Sequence, residues 1–336
     1  MKNPFVTNGY VSPEYFCDRE KETAKIVSLL TNENNIALIS PRRLGKTDLL
    51  RHCFGQPEIK EHYHTFIIDI YATSSVRDFV NVFGKAVLDE LRPKGKSVWG
   101  TFLNVLASLR SEITFDMNGQ PTWGIGLGAI TNPSATLDEI FSYLNNAGKP
   151  CLIAIDEFQQ ITKYADDPNI EAALRTHIQR CSNAHFVFSG SHRHLMGAMF
   201  TSPARPFYQS VTLINLPPIS VDKYAEFCLK HFERVSKHLD TLVVTELYER
   251  FNGITSYMQK VMNILFSMTG TGEICIPSMI DTAINDLLDF SADTYDALLY
   301  QMPEKQRIVF MAIAAEGKAK AISSGDFVRK YKLQSA

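Results

Sequence analysis

The strongest structural signal in the sequence is the stretch Ile36-Ala-Leu-Ile-Ser40-Pro-Arg-Arg-Leu-Gly45-Lys46-Thr47-Asp-Leu-Leu50. Its apolar start, Ile36 to Ile39, predicts a short buried strand that breaks at Ser40-Pro41, and a helical pattern follows from Gly45 onward. A strand, a loop and a helix in that order is the setting in which G-x-x-x-x-G-K-[ST] binds the phosphates of a nucleoside triphosphate. The sequence therefore predicts a phosphate-binding loop, in which Ser40 replaces the first glycine of the motif.

The residue types of this loop suit a triphosphate. Backbone N–H groups of residues 42–47, together with the positive end of the following helix, would surround the phosphates. Lys46 would reach the β- and γ-phosphates, Thr47 would ligate Mg²⁺, and Gly45 would let the backbone approach closely. The predicted nucleotide-contacting residues of the loop are Ser40, Pro41, Arg42, Arg43, Leu44, Gly45, Lys46, Thr47 and Asp48.

A second stretch, Pro150-Cys-Leu-Ile-Ala-Ile155-Asp156-Glu157-Phe-Gln-Gln-Ile161, supports the first. Five apolar residues predict a central strand that ends in two adjacent carboxylates. Acids at the end of a buried strand are costly unless they have partners, and a triphosphate with Mg²⁺ supplies such partners. We therefore expect Asp156 to hold the Mg²⁺ shell and Glu157 to orient and polarise the attacking water.

Bulk properties narrow the class of protein. The chain has 336 residues, of which 45% are apolar, so length suggests two or three domains of a globular protein. No apolar run is long enough to span a bilayer, and the first residues lack the apolar region of a signal peptide, so we expect no membrane partner and a cytoplasmic location. Six scattered cysteines without a C-x-x-C pair favour buried reduced thiols. A net charge of −2 argues against a protein that coats nucleic acid along its whole surface.

Strand and helix patterns alternate through the first 218 residues. Further strands are predicted at 65–71, 185–189 and 211–216, and helices at 19–30 (capped by Asp18), 74–91, 134–146 and 169–181. This α/β pattern of about five strands specifies a parallel sheet. Residues 92–130 look inserted, with a helical stretch near 103–109, a β-hairpin around Asn118-Gly119 and a glycine run at 124–128 that suits a phosphate loop poorly.

Polar residues follow the strand at 185–189. Ser189 and Ser191 lie at the end of this strand, where they could contact the γ-phosphate or the attacking water, so both are candidate catalytic residues. His192 and His194 lie in the same loop without a carboxylate or thiol at ligand spacing, which favours solvated histidines over a metal site.

The pattern changes after residue 218. Helices are predicted at 221–235, 239–251, 256–268, 277–300 and 303–315, followed by a short helix capped by residues 323–326. We expect an α/β core at 1–218, a helical domain at 219–294 and a separate C-terminal segment at 295–336. The pattern of a further helix begins at the last residues, so we expect the natural chain to continue.

Together these motifs resemble the archaeal-type group of AAA+-related STAND ATPases, over nearly the whole chain. The likeness is carried by Asn3-Pro4-Phe5, Phe16-Cys-Asp-Arg19-Glu20, Pro41-Arg-Arg-Leu-Gly-Lys-Thr47, Ile155-Asp-Glu-Phe-Gln159, Phe188-Ser-Gly-Ser191 and Asn252-Gly253-Ile-Thr-Ser-Tyr-Met-Gln259. The resemblance implies an AAA+-like P-loop fold that binds ATP or ADP with Mg²⁺. It also implies that residues near Arg19 line the adenine pocket and that residues 252–259, including Gly253, form the lid motif. By the same resemblance, residues 1–218 are a P-loop ATPase core, residues 219–294 are a helical lid domain and residues 295–336 are a partial winged-helix-like module.

The chain departs from this family at three places. Ser40 replaces a glycine, Thr255 stands where a proline is common, and the stretch Phe207-Tyr-Gln-Ser210 replaces a Tyr-Gly-Arg that would carry an arginine finger. Arg193 or Arg205 could substitute for that arginine, so both are candidate catalytic residues.

Two functions compete at this point. One is an ATPase switch whose nucleotide state repositions the lid and the C-terminal module to regulate DNA-associated or defence-related machinery. The other is a nucleotide-binding scaffold that does not hydrolyse ATP and presents a surface to a protein partner or to another copy of the chain. No N-K-x-D stretch reads guanine, which disfavours a GTPase, and no acceptor pocket marks a small-molecule kinase.

Basic residues are concentrated near the C-terminus. Residues 301–336 hold seven basic side chains (Lys305, Arg307, Lys318, Lys320, Arg329, Lys330 and Lys332) against three acids, an excess of +4 in a chain whose net charge is −2. A winged-helix module would place such cations on the phosphates of double-stranded DNA, whereas a solvated helix face would have no ligand. The sequence leaves both interpretations open.

Overall fold

The computed structural model of the protein describes residues 3–91, 113–115, 121–123, 132–317 and 319–333. The chain forms two compact units, Met1–Cys275 and Ile276–Ala336. The three-domain division predicted from the sequence remains a prediction. Within the described ranges, no helix is long and apolar enough to cross a membrane.

A five-stranded parallel sheet forms the centre of the first unit. Its order is β2-β5-β6-β1-β7, which confirms the predicted α/β fold. The strands of the described chain are β1 (Ile36–Ile39), β2 (His64–Asp69), β3 (Ile113–Phe115), β4 (Pro121–Trp123), β5 (Cys151–Asp156), β6 (Ala184–Gly190), β7 (Thr212–Asn215), β8 (His238–Leu239) and β9 (Ile274–Cys275). Strands β3 and β4 pair antiparallel, as expected for the inserted hairpin, whereas its turn and the regions 103–109 and 124–128 lie outside the described residues.

The register of the sheet aligns the carboxyl ends of neighbouring strands. The end of β1, Ile39, is aligned with Gly190 of β6 and with Asn215 of β7. Asp156, the last residue of β5, is aligned with Asp69 of β2. Because all the strands are parallel, the carboxyl ends of β1, β5 and β6 meet at one edge, where α/β sheets bind ligands.

Helices of the first unit cover both faces of this sheet. Those of the described chain are α1 (Glu20–Thr31), α2 (Lys46–Phe54), α3 (Pro57–His62), α4 (Val76–Glu90), α5 (Pro133–Asn145), α6 (Ile170–Arg180), α7 (Arg193–Thr201), α8 (Val221–Glu233), α9 (Thr241–Phe251), α10 (Thr255–Met268), α11 (Ile280–Asp289), α12 (Ala292–Gln301), α13 (Glu304–Glu316) and α14 (Gly325–Lys330). A 3-10 helix, Phe158–Lys163, follows β5 directly.

Alternating strand residues divide the core into two layers. In β1, Leu38 belongs to a cluster with α1, α2 and α3, while Ala37 and Ile39 belong to a cluster with helices α4–α7. The strands β1 and β5 are therefore buried on both sides, which is why the sequence shows them as continuous apolar runs. All six cysteines are buried free thiols.

Three predicted elements differ in the structure. The helix predicted over residues 277–300 is divided into a 3-10 turn and the helices α11 and α12, with the break at residues 290–291. Residues 238–239 and 274–275, where no strand was expected, form a two-residue parallel pair. Asp18 does not cap α1, because Arg19 precedes the helix in the left-handed region, at φ 78°, and no side chain caps it.

The second unit contains α11 to α14. The predicted cap of its last helix is confirmed, because the side chain of Ser324 accepts a hydrogen bond from the backbone N–H of Phe327 at 3.2 Å. Two of the basic side chains in this unit are paired with acids: Arg329 with Asp326, and Lys330 with Glu316.

Candidate nucleotide site

The predicted phosphate loop connects β1 to α2 at the edge where the strands end. Its first residue, Ser40, is buried and donates its backbone N–H to the carbonyl of Gly190 at 3.3 Å, so the loop starts from a fixed point on the sheet. Two of its residues have left-handed backbone angles, Arg43 at φ 70° and Gly45 at φ 83°. Among the described residues, no atom lies within 4 Å of a Cβ added at Gly45, so the space beside it is open. Glycine is favoured there by the left-handed backbone angle and not by crowding.

Lys46 is the buried cation of the site. Its side chain is 7% exposed, and its Nζ donates to the carbonyl oxygen of Ser40 at 3.4 Å. Burial lowers the pKa of the Lys46 ammonium, an effect that the carboxylates of Asp156 and Glu157 oppose and the guanidinium of Arg42 reinforces. A cation with so little water around it gains from anionic oxygens beside it.

Thr47 and Asp156 are in direct contact across the site. The Thr47 Oγ1 donates to the Asp156 Oδ2 at 2.5 Å, although the two residues are 109 positions apart in the sequence. The other carboxylate oxygen of Asp156 accepts the backbone N–H of Glu157 at 3.0 Å. The structure therefore brings together the two residues predicted to ligate a cation, and a hydroxyl beside a carboxylate is a donor set that suits Mg²⁺.

Glu157 is held in one orientation by polar neighbours. Its backbone is left-handed at φ 55°, and its Oε2 accepts the Ser191 hydroxyl at 2.8 Å and the Gln159 amide at 2.5 Å. Ser191 also accepts the Nε–H of Arg42 at 3.4 Å. Arg42 from the phosphate loop, Ser191 from the end of β6 and Glu157 from the end of β5 thus form a continuous polar chain.

A cavity of about 280 Å³ lies beside the phosphate loop. Arg19, which the family resemblance assigns to the adenine pocket, lines this cavity. It is itself buried and fixed, since its guanidinium pairs with Glu22 at 2.9 Å and donates to the Pro217 carbonyl at 2.7 Å. The cavity is lined by Val6, Thr7, Gly9, Tyr10, Val11, Tyr15, Phe16, Cys17, Arg19, Arg43, Leu44, Gly45, Thr47, Asp48, Ile219, Thr255, Ser256 and Gln259.

One wall of the cavity is the segment of residues 3–19, which we call the N-terminal strap. The strap is anchored to α10 where the Asn3 amide donates to the Asn263 carbonyl at 2.8 Å. It is anchored to α2 where the ring of Phe16 stacks on His52 at 4.4 Å and the Tyr10 hydroxyl hydrogen-bonds the same imidazole at 3.1 Å. The strap thus connects the helix of the phosphate loop to α10.

The start of α10 forms another wall of the cavity. The backbone N–H of Ser256 donates to the Arg43 carbonyl at 3.2 Å, and the Arg43 guanidinium lies 4.8 Å from the centre of the Tyr257 ring. One turn later, Gln259 accepts the Tyr224 hydroxyl at 2.9 Å. Arg43 therefore joins the phosphate loop to α10 through both its backbone and its side chain.

Several predicted residues lie apart from this group. Arg193 is exposed at the start of α7, with no ion pair among the residues that the structure describes, and Arg205 forms an ion pair with Glu171 of α6. Burial raises the pKa of the Glu171 carboxyl, which the neighbouring Arg205 opposes. Gly253 does not line the cavity. It is a tight turn at φ 69° where a Cβ would approach Tyr248 to 2.8 Å.

The other predicted residues have mixed surroundings. Ser189 is fully buried, and its Oγ has no hydrogen-bond partner among the described residues. Asp48 lines the cavity and pairs with Arg51 at 3.5 Å. Sequence reasoning missed Gln159 and Gln259 as site residues, although both ended stretches that carried the family resemblance. Only the folded chain shows that one reaches Glu157 and the other reaches the cavity.

The sequence matches known families over most of its length. Residues 16–261 match an ATPase domain found predominantly in Archaea, and residues 293–336 match a probable winged helix domain. No curated protein matches the chain.

Solved structures share the fold at low sequence identity. A Walker-type ATPase of Pyrococcus abyssi has a TM-score of 0.62 and 17% identity, covering 98% of this chain and 87% of its own. The ORC2 protein of Aeropyrum pernix, in ADPNP–ADP complexes, has a TM-score of 0.61 and 14% identity, covering 98% and 82%. The ORC1 protein of the same organism, in complex with DNA, has a TM-score of 0.55 and 13% identity, covering 95% and 78%.

These structural likenesses concern the fold alone, whereas the family match spans well over half of the chain and includes the phosphate loop, Asp156 and Glu157. The predicted AAA+-like P-loop fold and the C-terminal winged helix domain are therefore confirmed, and the protein belongs to the family of ATPase domains found predominantly in Archaea.

Proposed function

We propose that the protein is a Mg²⁺-dependent ATPase that works as a nucleotide-driven switch of the STAND type. The observation that carries the proposal is the contact of Thr47 with Asp156, which joins the phosphate loop to the acidic end of β5 beside a buried lysine. Hydroxyl, carboxylate and ammonium then face one place, where the phosphates of a nucleotide on this loop would lie.

The chain's own groups would hold ATP or ADP in two parts. The N–H groups of residues 42–47 and the start of α2 would bind the phosphates, and Lys46 would neutralise charge on them. The base and ribose would enter the cavity between the N-terminal strap and α10, where Arg19, Thr255 and Gln259 line the wall. Phosphate oxygens would also replace the long contact of Lys46 with the Ser40 carbonyl.

Thr47 and Asp156 would hold the Mg²⁺ ion. When bound, the ion neutralises charge on the phosphates during their transfer. Within the described ranges, no group of three or more His, Cys, Asp or Glu side chains could hold a metal by itself. A cation ligated by Thr47 and Asp156 would therefore take its remaining ligands from the phosphates and from water, so its binding would depend on the nucleotide.

Glu157 would orient the attacking water and accept its proton. Ser191, which contacts both Glu157 and Arg42, stands between the phosphate loop and this base, so a change at the phosphates could reach Glu157 through it. Ser189 is a second candidate for contact with the reacting groups. Of the two arginines, we favour Arg193 as the transition-state cation, in the same chain or across an interface with another copy, because Arg205 is already paired with Glu171.

Release of phosphate from ATP tests this proposal. The wild-type protein should release phosphate only when Mg²⁺ is present, and EDTA or Lys46→Ala should stop the release. Turnover that survives both treatments would place the chemistry elsewhere or in a contaminant.

A scaffold that holds nucleotide without hydrolysing it is the second candidate. The ion pair of Arg205 with Glu171 favours it, because only Arg193, of the two candidate arginines, could then act on the transition state. A scaffold would bind ATP and ADP and release no phosphate under any condition, including added DNA, whereas an ATPase would release it under at least one.

The switch would act through α10 and the winged helix domain. Arg43 joins the phosphate loop to α10 by a backbone hydrogen bond and a ring contact, so the state of the nucleotide could bias the position of that helix. A winged helix domain suits double-stranded DNA, and a structural neighbour with a TM-score of 0.55 was solved with DNA. We therefore propose that the protein regulates DNA-associated or defence-related machinery, with DNA, a protein partner or another copy as its target.

A further inference from the structure

Gln159 is buried against the candidate base. It lies in the 3-10 helix that follows β5, its side chain is 3% exposed, and its Nε2 donates to Glu157 Oε2 at 2.5 Å. Two positions separate the residues, and the left-handed backbone of Glu157 turns the chain between them. The amide therefore reaches back onto the carboxylate that precedes it.

The two carboxylate oxygens of Glu157 have different surroundings. Oε2 accepts both Gln159 and Ser191, at 2.5 Å and 2.8 Å. Oε1 accepts no hydrogen bond from the described residues, and it is not among their buried polar atoms that lack a partner, so it is accessible to water. We propose that Gln159 is a positioning residue, which fixes Oε2 so that Oε1 faces the water that attacks ATP. This role rests on the proposed ATPase function.

The other end of the Gln159 amide is buried in an unfavourable environment. The Oε1 of Gln159 is buried without a hydrogen-bond partner in the described chain, an arrangement that ordinarily destabilises a fold. Gly190, at the end of β6, makes room for it, since a Cβ there would lie 2.4 Å from that oxygen and 2.6 Å from the side chain of Met196. A merely structural glutamine would be expected to use both ends of its amide, whereas here only the end that holds Glu157 is used.

Steady-state kinetics of Gln159→Leu test the role. Loss of one oriented donor should lower kcat by about 10- to 100-fold, because a misplaced catalytic group loses rate on that scale. The KM for ATP and the affinity for ADP should stay within about twofold of the wild type, because Gln159 does not line the cavity. Gln160→Leu is the matched control: it removes the neighbouring amide, which donates to the Thr73 carbonyl at 2.8 Å, and should leave kcat unchanged.

A double-mutant cycle separates positioning from a structural effect. In a Glu157→Gln background, measured by single turnover, Gln159→Leu should change the rate by less than about twofold, since it acts only through Glu157. Gln159→Met keeps most of the length and volume of the side chain and carries no N–H donor, so it should reproduce the loss if Gln159→Leu unfolds. Melting temperatures identify variants that are folded.

The outcomes are distinct. An unchanged kcat in Gln159→Leu and Gln159→Met, while the wild type turns over ATP, would overturn the positioning role alone. An equal loss of rate in both backgrounds would make the residue structural. A wild type that binds ATP and never hydrolyses it would overturn the ATPase function, and this role with it.

Discussion

At the scale of single residues, Lys46 is the side chain whose surroundings most favour a bound anion. Burial lowers the pKa of its ammonium relative to the unfolded chain, so the charged form costs stability at every pH below that lowered pKa. The cost disappears as the pH rises above the ordinary pKa of lysine, where both states are neutral. Phosphate oxygens would offset it at neutral pH by supplying opposite charge.

We therefore predict opposite effects of substituting Lys46 on binding and on stability. Lys46→Ala should abolish ATP binding in calorimetry while the fold is retained. Lys46→Met, which preserves most of the volume, should raise the free energy of unfolding by about 0.5–2 kcal/mol at neutral pH, a gain typical where a functional site is relaxed. Unchanged ATP affinity in both variants would contradict the assignment of the phosphate loop.

Arg193 and Arg205 should respond differently to alanine. Arg205→Ala leaves the Glu171 carboxylate without its partner, so it should lower the free energy of unfolding by about 1–3 kcal/mol in denaturant titrations. Exposed Arg193→Ala should change stability by less than about 0.5 kcal/mol.

Turnover should show the reverse pattern. If Arg193 supplies the transition-state cation, its loss should reduce kcat by roughly 10³–10⁵-fold, whereas folded Arg205→Ala should keep its rate. Normal turnover in both alanine variants would remove the arginine proposal.

At the scale of elements, the joint between the phosphate loop and α10 is the contact through which nucleotide state could reach the rest of the first unit. Tyr257→Ala removes the ring under the Arg43 guanidinium. Such a contact contributes about 0.5–1 kcal/mol at a partly exposed site, so ATP affinity in calorimetry should fall about two- to fivefold. Tyr257→Phe keeps the ring and should bind as the wild type does. An unchanged affinity in Tyr257→Ala would mean that Arg43 is held without it.

The sequence predicted those elements whose pattern is local. Strand β5 and its two acids are visible because a strand buried on both faces is apolar at every position. The cap at Ser324 is visible because capping depends on residues three positions apart.

What could not be predicted depends on residues that meet only in the folded chain. The stacking of Phe16 on His52 and the hydrogen bond from Tyr224 to Gln259 each join residues about 35 positions apart. No repeating sequence pattern links residues at that separation. The break between α11 and α12 was missed because the helical pattern continues through residues 290–291, where neither proline nor glycine marks it.

At the scale of the whole molecule, positive charge is concentrated in the last 36 residues of the chain. The chain carries −2 overall, while residues 301–336 hold an excess of +4. Part of that charge is already paired, since Arg329 and Lys330 contact acids of their own unit. Lys305, Arg307, Lys320 and Lys332 are the described cations for which no acid partner is found, and they are the ones we assign to phosphate contacts.

We predict weak DNA binding with a steep salt dependence and little sequence preference. Fluorescence anisotropy with a labelled duplex at ~50 and ~200 mM salt measures it, because phosphate contacts are lost over that range. Lys305→Ala with Arg307→Ala should reduce the salt slope by about 2, whereas Arg329→Ala, already paired, should change it less. Absence of binding at the lower salt would favour a protein-docking role for the C-terminal unit.

The most direct measurement compares ATP binding and ATP turnover in Glu157→Gln and the wild type. The amide keeps the shape of the side chain and cannot accept a proton from water as a carboxylate does. We predict that Glu157→Gln binds Mg²⁺-ATP with wild-type affinity and hydrolyses it roughly 10²–10⁴-fold more slowly. Turnover by Glu157→Gln at the wild-type rate, or a wild type that hydrolyses nothing with or without DNA, would contradict the proposed ATPase.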